Sequence, residues 1–191
     1  MIEENYILKK EYRDVDISSK EVKNKTFEQC YFINCKFIET IFSNCDFIDC
    51  KFDSCNFANA ILPDTGLKTV IFEQSKLIGI DFYACKDFLF NVSFSDCILD
   101  FASFIKKNLK KTKFLNTSLE SVNFSDADLS DSKFENCNLM NTQFFHSILV
   151  KADFSTSKNI YLNPNDNKIG KAKFSLNQLP GLLAFYNIIV E

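Results

Sequence analysis

The chain of 191 residues is poor in several residue types, and each shortage excludes a class of function. It contains no Trp, one His and four Gly. A single His excludes a metal site built from two histidines and leaves His146 as the one candidate histidine base. The glycines, at positions 66, 79, 170 and 181, are too scattered to form a dinucleotide-binding motif or a P-loop.

Long apolar runs are also missing. No segment approaches the ~20 apolar residues that a membrane helix needs. The N-terminal residues Met1–Asn5 are acidic and lack the basic segment and apolar stretch of a secretory signal. We therefore expect a cytoplasmic protein with no membrane partner. In that compartment the eight Cys are expected to be reduced thiols rather than a disulfide framework.

The abundant residue is Phe, with 22 copies, and it recurs in steps of five. From Phe27 to Phe82 every fifth residue is Phe or Leu, and the same holds from Leu89 to Phe154. The register changes at residues 83–88. A period of five fits neither a helix nor an isolated strand. It fits a coil with four flat sides, in which a residue stacks on the one 20 positions later.

This stacking predicts the core. In the second register Phe and Leu alternate strictly, so the Phe columns face each other and the Leu columns fill the other two sides. A second inward position, two residues before each centre, is small or β-branched except at Lys107. The predicted core phenylalanines are Phe32, Phe52, Phe72, Phe104, Phe124 and Phe144.

The repeating units resemble those of the pentapeptide-repeat family. Typical units run over residues 45–49, 50–54, 55–59 and 127–131, and the pattern covers roughly residues 22–157. The resemblance implies an all-β solenoid, a right-handed quadrilateral parallel β-helix. The general rule for parallel crossovers predicts the same hand.

The pattern divides the chain into four parts. We expect an irregular N-terminal coil over 1–21, a first half-rod over 22–86 and a second over 87–157. Residues 158–191 are expected to hold a turn-rich loop, a last repeat ending at Phe174, and an α-helical cap. Asn177 is the expected N-cap, with a helix to about Tyr186 and a short strand over 188–190.

Nothing in the sequence favours an enzyme, a cofactor or a metal. All eight Cys fall at the small inward position, Cys85 on condition that the first register is extended, and Cys acts there as a small hydrophobe. Cys30 and Cys50 stack at a distance that a disulfide could span, but their side chains are expected to be parallel. Their spacing does not match a zinc site. His146 points outward at a corner, without a second base or a nucleophile.

Charge is uneven along the chain. Residues 1–104 carry 17 acidic and 11 basic residues, a net of −6, whereas residues 105–191 carry 8 and 11, a net of +3. The basic cluster of Lys106, Lys107, Lys110, Lys111 and Lys113 lacks interleaved aromatics, so a solvated face is favoured and direct nucleic-acid binding is not expected.

Some outward positions are apolar. Ile105 and Phe145 lie forty residues apart, and therefore on one side, with Phe101 nearby. Ile38 and Ile78 repeat this arrangement in the first half. These pairs are the candidate partner patches.

The ends of the chain are similar to one branch of the family, the Qnr-like fluoroquinolone-resistance proteins of bacteria. The similarity lies in residues 178–190 and 16–22. It implies a homodimer joined through the C-terminal helix, binding to DNA gyrase or topoisomerase IV as a possible mimic of duplex DNA, and protection from fluoroquinolones. The alternative is a structural protein–protein interaction module with an unknown partner.

Two sets of residues follow from this similarity. The expected dimer interface comprises Leu179, Leu182, Leu183, Phe185, Tyr186, Ile188 and Ile189. The expected partner-binding carboxylates are Glu39, Asp46, Asp49, Asp53 and Glu73.

Overall fold

Each pentapeptide turns a corner because the second residue after its centre adopts a left-handed backbone conformation. In the computed structural model, which describes residues 5–186 and residue 188, φ at these non-glycine corners lies between 47° and 62°. Asn and Asp occupy many of the corners, since short polar side chains tolerate this conformation. A corner every five residues winds the chain into a parallel solenoid with four faces.

Short strands form the faces, and every pairing is parallel. Face A carries β1, β4, β7 and β9; face B carries β2, β5, β8 and β10–β13; face D carries β3 and β6. Face C, between B and D, is joined by isolated bridges such as Lys36 to Asn56. The strands are β1 Tyr6–Leu8, β2 Glu11–Arg13, β3 Glu21–Lys23, β4 Thr26–Glu28, β5 Tyr31–Ile33, β6 Ile41–Ser43, β7 Asp46–Ile48, β8 Lys51–Asp53, β9 Gly66–Lys68, β10 Val70–Glu73, β11 Val92–Ser95, β12 Lys113–Leu115 and β13 Lys133–Glu135.

The core is built from columns of stacked rings. The face B column runs through Tyr12, Phe32, Phe52, Phe72, Phe94, Phe114, Phe134, Phe154 and Phe174. The face D column of the second half runs through Phe82, Phe104, Phe124 and Phe144. The two columns meet edge to face across the core. All six phenylalanines predicted to form the core are buried.

The small inward residues are more than space fillers. The Cys50 thiol donates to the carbonyl of Phe27, in the preceding turn, at 3.3 Å. The hydroxyl of Thr142 donates to the carbonyl of Leu119 at 2.7 Å. A thiol or hydroxyl at this position therefore links each turn to the turn before it.

The register change does not divide the rod into two bodies. Strand β10 pairs with β11 with Val70 opposite Val92, where the regular repeat would place residue 90, so the ladder continues with a longer turn. The extra length bulges outward from face A. Phe90 is buried in the core there, whereas Leu89, the expected centre, is 63% exposed and has a φ of 57°. The expectation of a buried Leu89 is wrong, and the two halves share one continuous ladder.

The buried side chain of Lys107 holds the bulge in place. Its side chain is 1% exposed, and its ammonium donates to the carbonyl of Cys85 at 2.6 Å and to Asp87 at 2.5 Å. The ammonium also lies 5.2 Å from the centre of the Phe90 ring. The charge is thus balanced by an exposed carboxylate, an arrangement that makes a buried Lys tolerable.

Both ends are more regular than the sequence pattern indicates. Strands β1 and β2 pair with β4 and β5, so the described part of 1–21 is an ordinary turn of the rod rather than an irregular coil. The expected loop over 158–170 lies largely within the solenoid: Lys168 bridges Ile148, and Ile160 and Leu162 are buried. These two residues fill the core where the centres would be Asn159 and Pro164.

A helical segment covers the last turn. It consists of a 3-10 helix Leu176–Gln178, helix α1 Leu179–Leu183 and a 3-10 helix Ala184–Tyr186. The segment begins after Ser175, so the expectation of Asn177 as the N-cap is wrong. Ile188 is not part of a strand, and the rest of the strand expected over 188–190 lies outside the described residues.

Candidate protein-interaction surfaces

The described residues do not bring reactive groups together. They contain no group of three or more His, Cys, Asp or Glu that could hold a metal ion, and no helix in this part of the chain is long and apolar enough to span a bilayer. His146 occupies a corner on face D, where it stacks on the ring of Phe145 and lies 3.8 Å from Asp126. The histidine is therefore a surface residue with one carboxylate neighbour.

The thiols lie in the wall of the rod rather than at its surface. Burial raises the pKa of Cys50, Cys85 and Cys137 to about 12, and that of Cys97 to about 11. These thiols stay protonated at neutral pH and are poor nucleophiles.

One pair of thiols differs from the rest. A hydrogen bond between Cys35 and Cys55 lowers the pKa of Cys35 to about 7 and raises that of Cys55. Cys35 is 1% exposed, so its sulfur has no access to solvent. Both thiols are therefore buried in the wall of the rod, like the other inward thiols.

The five carboxylates expected to bind a partner do not share a surface. Asp46 lies on face A, Asp49 at the corner between A and B, and Asp53 and Glu73 on face B, whereas Glu39 lies at the corner between C and D. The five candidates therefore lie on several sides of the rod, and their role in binding a partner stays a prediction.

Two of these carboxylates are already paired with lysines. Asp46 lies 3.0 Å from Lys68 and 3.1 Å from Lys86, and Glu73 lies 2.8 Å from Lys51. Burial raises the pKa of Asp46, but the hydrogen bonds and charges of the two lysines outweigh it and the net pKa is lowered. Paired in this way, Asp46 and Glu73 offer little negative charge to a partner.

Face D carries a row of exposed apolar residues, as face A does at Tyr6, Leu8, Phe88 and Leu89. Ile61, Tyr83 and Phe145 are about half exposed on face D, with Ile105 between the last two and Phe101 at the adjoining corner. We call these five residues the face D strip. Phe101 is 63% exposed with a φ of 62°, and among the described non-glycine corners with positive φ it and Leu89 are the apolar ones. A bulky apolar residue in this strained, exposed position is not explained by packing. Ile38 and Ile78 lie on face C and are half-buried.

The helical segment is fixed to the end of the rod by polar contacts. The Gln178 amide donates to the carbonyls of Phe154 and Ser157 at 2.7 and 2.6 Å. Gly181 packs so closely that a Cβ would lie 2.0 Å from the carbonyl oxygen of Ile160. The docked segment closes the open edge of the last turn.

The expected dimer residues divide into inward and outward groups. Leu182 is buried against the rod and Leu183 is half-buried, so neither is free to form the centre of a dimer contact. The exposed apolar residues of the segment are Leu176, Leu179, Phe185, Tyr186 and Ile188. Ile189 lies outside the described residues.

Family comparison agrees with this architecture. A family model described as the pentapeptide repeat region matches residues 25–87, 70–144 and 87–174. The chain belongs to the pentapeptide-repeat family. No curated protein sequence matches the chain.

Solved structures of pentapeptide-repeat proteins share the fold of this one. A trypsin-treated variant of QnrB1, a plasmid-mediated fluoroquinolone resistance protein, superposes with a TM-score of 0.65 at 16% identity, covering 95% of this chain and 100% of that one. Full-length QnrB1 superposes with a TM-score of 0.54 at 17% identity, covering 96% and 100%. At these identities the likeness concerns the fold.

The sequence pattern missed two features of the site that depend on the longer turn at the register change. It did not identify the bulge on face A, with Phe88 72% and Leu89 63% exposed, because it placed Leu89 in the core. It also did not connect Tyr83 with Ile105, which become neighbours on face D only through that longer turn. The signal was present in the sequence as the failure of the repeat at Asp87.

Proposed function

We propose that this chain is a non-enzymatic protein-binding rod that binds DNA gyrase or topoisomerase IV and protects it from fluoroquinolones. The observation that carries the proposal is the likeness to QnrB1, which extends over 95% of this chain. The unreactive thiols and the face D strip support binding rather than catalysis.

The face D strip is the proposed contact. Interfaces between proteins have apolar centres, often with aromatic residues, and polar rims. Tyr83, Phe101 and Phe145 supply the aromatic residues, and Asp81, on the same face, supplies part of an acidic rim. In this arrangement Glu39, at the corner between faces C and D, is the expected carboxylate best placed to take part.

The net charge of the chain is too small for the whole rod to mimic duplex DNA. The nine stacked rings of the face B column imply a length of about 38 Å at about 4.8 Å per step. A duplex of that length carries about 22 phosphate charges. The chain has a net charge of −3. Mimicry of DNA is therefore confined to a local acidic region, and the apolar strip supplies most of the affinity.

We also propose that the chain forms a homodimer through the helical segment. Leu176 is 82% exposed, and Tyr161 packs against Phe185, with ring centres 4.6 Å apart, to extend the apolar surface. A two-fold contact would cover this surface on both copies. Sedimentation should give the mass of a dimer, and Leu176→Glu combined with Phe185→Glu should give a monomer with an unchanged circular dichroism spectrum. A wild-type monomer at micromolar concentration would contradict the dimer.

A gyrase supercoiling assay tests the proposed function. With a fluoroquinolone present, the wild-type protein should restore supercoiling at micromolar concentration. Tyr83→Glu should abolish the effect, whereas Tyr31→Glu should retain it, since Tyr31 has nearly the same exposure, 51% against 54%, but lies on face B. If the wild type neither restores supercoiling nor inhibits the enzyme, the gyrase proposal fails and the alternative, a module with an unknown partner, stands.

A further inference from the structure

The lysines of the second half converge on two adjacent faces. Over residues 108–175, faces A and B carry eight lysines against four carboxylates, a net of +4. Faces C and D of the same turns carry one lysine, Lys158, against three carboxylates, a net of −2. We call faces A and B of this part the lysine edge. Its lysines are Lys110, Lys111, Lys113, Lys133, Lys151, Lys168, Lys171 and Lys173.

This edge differs from the cluster that the linear sequence suggests. Of the run from Lys106 to Lys113, Lys107 is buried and Lys106 lies at the corner between faces D and A. Lys110, Lys111 and Lys113 belong to the edge. The other five members come from the next three turns of the rod, so only the register of the solenoid assembles them.

Most of these lysines are not neutralised. Lys110 pairs with Asp128 at 3.1 Å and Lys173 with Asp153 at 3.3 Å. The remaining six have no carboxylate within ion-pair distance among the residues that the structure describes. Lys113 stands directly opposite Lys133 in the ladder between β12 and β13, and Asp153, the neighbour of Lys133 on the other side, pairs with Lys173. Like charges that face each other across two strands destabilise a sheet. An anion bound between the two lysines would remove this repulsion.

The chemistry of the edge favours phosphate over an acidic protein or a membrane. Among the described residues, the exposed large apolar side chains of these turns, such as Met140, Phe145 and Tyr161, lie on faces C and D. Within these turns the edge therefore lacks the aromatic anchors that a protein interface or a membrane surface uses, and the exposed Phe88 and Leu89 of face A lie in the bulge before it. Its cations are all Lys, which act as point charges and bind phosphate without the paired geometry of Arg and carboxylate.

We propose that the lysine edge binds the phosphate backbone of duplex DNA without reading its sequence. The edge spans three steps of the solenoid, about 14 Å, and one DNA strand presents about four phosphates over that length. The lysines have long, flexible side chains, so they can reach phosphates whose spacing differs from that of the turns. This proposal reverses the expectation, made from the sequence, that the chain does not contact nucleic acid.

Fluorescence anisotropy with a labelled 20-base-pair duplex tests the proposal, with no topoisomerase present, so the result does not depend on the proposed gyrase binding. For about four phosphate contacts, raising the salt concentration fourfold, from 50 to 200 mM, should weaken binding about a hundredfold. The variant Lys113→Glu/Lys133→Glu/Lys151→Glu should lose at least tenfold in affinity and most of its salt dependence.

A matched control separates the edge from net charge. The variant Lys36→Glu/Lys76→Glu/Lys158→Glu makes the same change in charge on face C, and it should bind within about threefold of wild type. Circular dichroism should show that both variants are folded. Equal losses in the two variants, absence of wild-type binding at 50 mM salt, or equal competition by poly-glutamate or anionic vesicles would overturn the proposal.

Discussion

The first and second halves of the rod form the same solenoid from different cores. In the first half every side contributes a Phe, and neighbouring sides meet edge to face, as Phe37 and Phe42 do at 5.6 Å. In the second half Phe alternates with Leu, and the rings meet across the core, as Phe94 and Phe104 do at 6.0 Å. Away from the bulge, both halves keep the same stacking register, with Phe27 opposite Phe47 in one and Phe114 opposite Phe134 in the other.

The difference shows which positions determine the fold. The fold requires a large apolar residue at the centre of each pentapeptide, and both Phe and Leu satisfy this requirement. It also requires a small residue two positions before the centre. The outward residues are free to differ, and they do: the net charge is −6 before residue 105 and +3 after it. The outer faces therefore carry the difference in charge between the two halves.

The largest expected effect comes from removing a core ring in either half. Phe52→Ala and Phe124→Ala should each lower the free energy of unfolding by about 3–5 kcal/mol, because both rings are buried within stacked columns. Phe52 should be the more costly, because Phe47 and Phe57 pack against it at 5.3 and 5.0 Å, whereas Phe114 and Phe134 lie 5.9 and 6.0 Å from Phe124. Denaturant titration measures both values. A loss below about 1 kcal/mol for Phe124→Ala would mean that the column is not packed as described.

The junction between the halves should be the next most sensitive point. Lys107→Met keeps most of the side-chain volume but removes the donor to the Cys85 carbonyl, so it should destabilise the chain by about 1–3 kcal/mol. Lys106→Met, at the adjacent exposed corner, should change stability by less than about 0.5 kcal/mol. Equal effects at the two positions would show that Lys107 does not hold the bulge.

The links between turns should contribute less individually. Thr142→Val removes the hydroxyl that donates to Leu119 and should lower stability by about 1 kcal/mol. Val122 occupies the same column one turn earlier, and Val122→Thr should be close to neutral, because a hydroxyl there can reach the carbonyl of Leu99. Thermal unfolding compares the two. If Thr142→Val left the stability unchanged, the small inward residues would contribute through packing alone.

The smallest expected effect is the pH dependence from Asp46. Its pKa is lowered in the folded chain, so its ion pairs contribute stability above the unfolded pKa of about 4 and lose it as the pH falls through the folded value. Between pH 7 and pH 3 the wild type should therefore lose more stability than Asp46→Asn, by less than about 1 kcal/mol. Identical pH profiles from denaturant titrations would show that the pairs with Lys68 and Lys86 are not energetically coupled.

The fold could be predicted from the sequence because its period of five is a local rule repeated along the chain. Phe124 is buried between Phe104 and Phe144, as its position in the repeat indicates. The rule failed where the turn became longer. After Phe82 the pattern could not show whether Leu89 or Phe90 returns to the core, because that depends on how Lys107 fills the space beneath the bulge.

The candidate surfaces were harder to predict than the core. Burial follows from a single residue's place in the repeat, whereas a surface depends on which residues share a face and which charges pair. Asp46 and Glu39 both point outward, yet they lie on different sides of the rod, and Asp46 is paired with two lysines. The lysine edge likewise combines residues from Lys110 to Lys173, through stacking rather than sequence proximity.

The central claim is that the proposed contact with gyrase lies on face D of the rod. Isothermal titration of purified gyrase with the wild type, with Ile61→Lys on face D and with Ile71→Lys on face B tests it directly, because both isoleucines are exposed, at 53% and 40%. The account predicts that Ile61→Lys weakens binding at least tenfold and that Ile71→Lys leaves it within about twofold of wild type. Equal affinity for all three proteins, or a greater loss for Ile71→Lys, would contradict it.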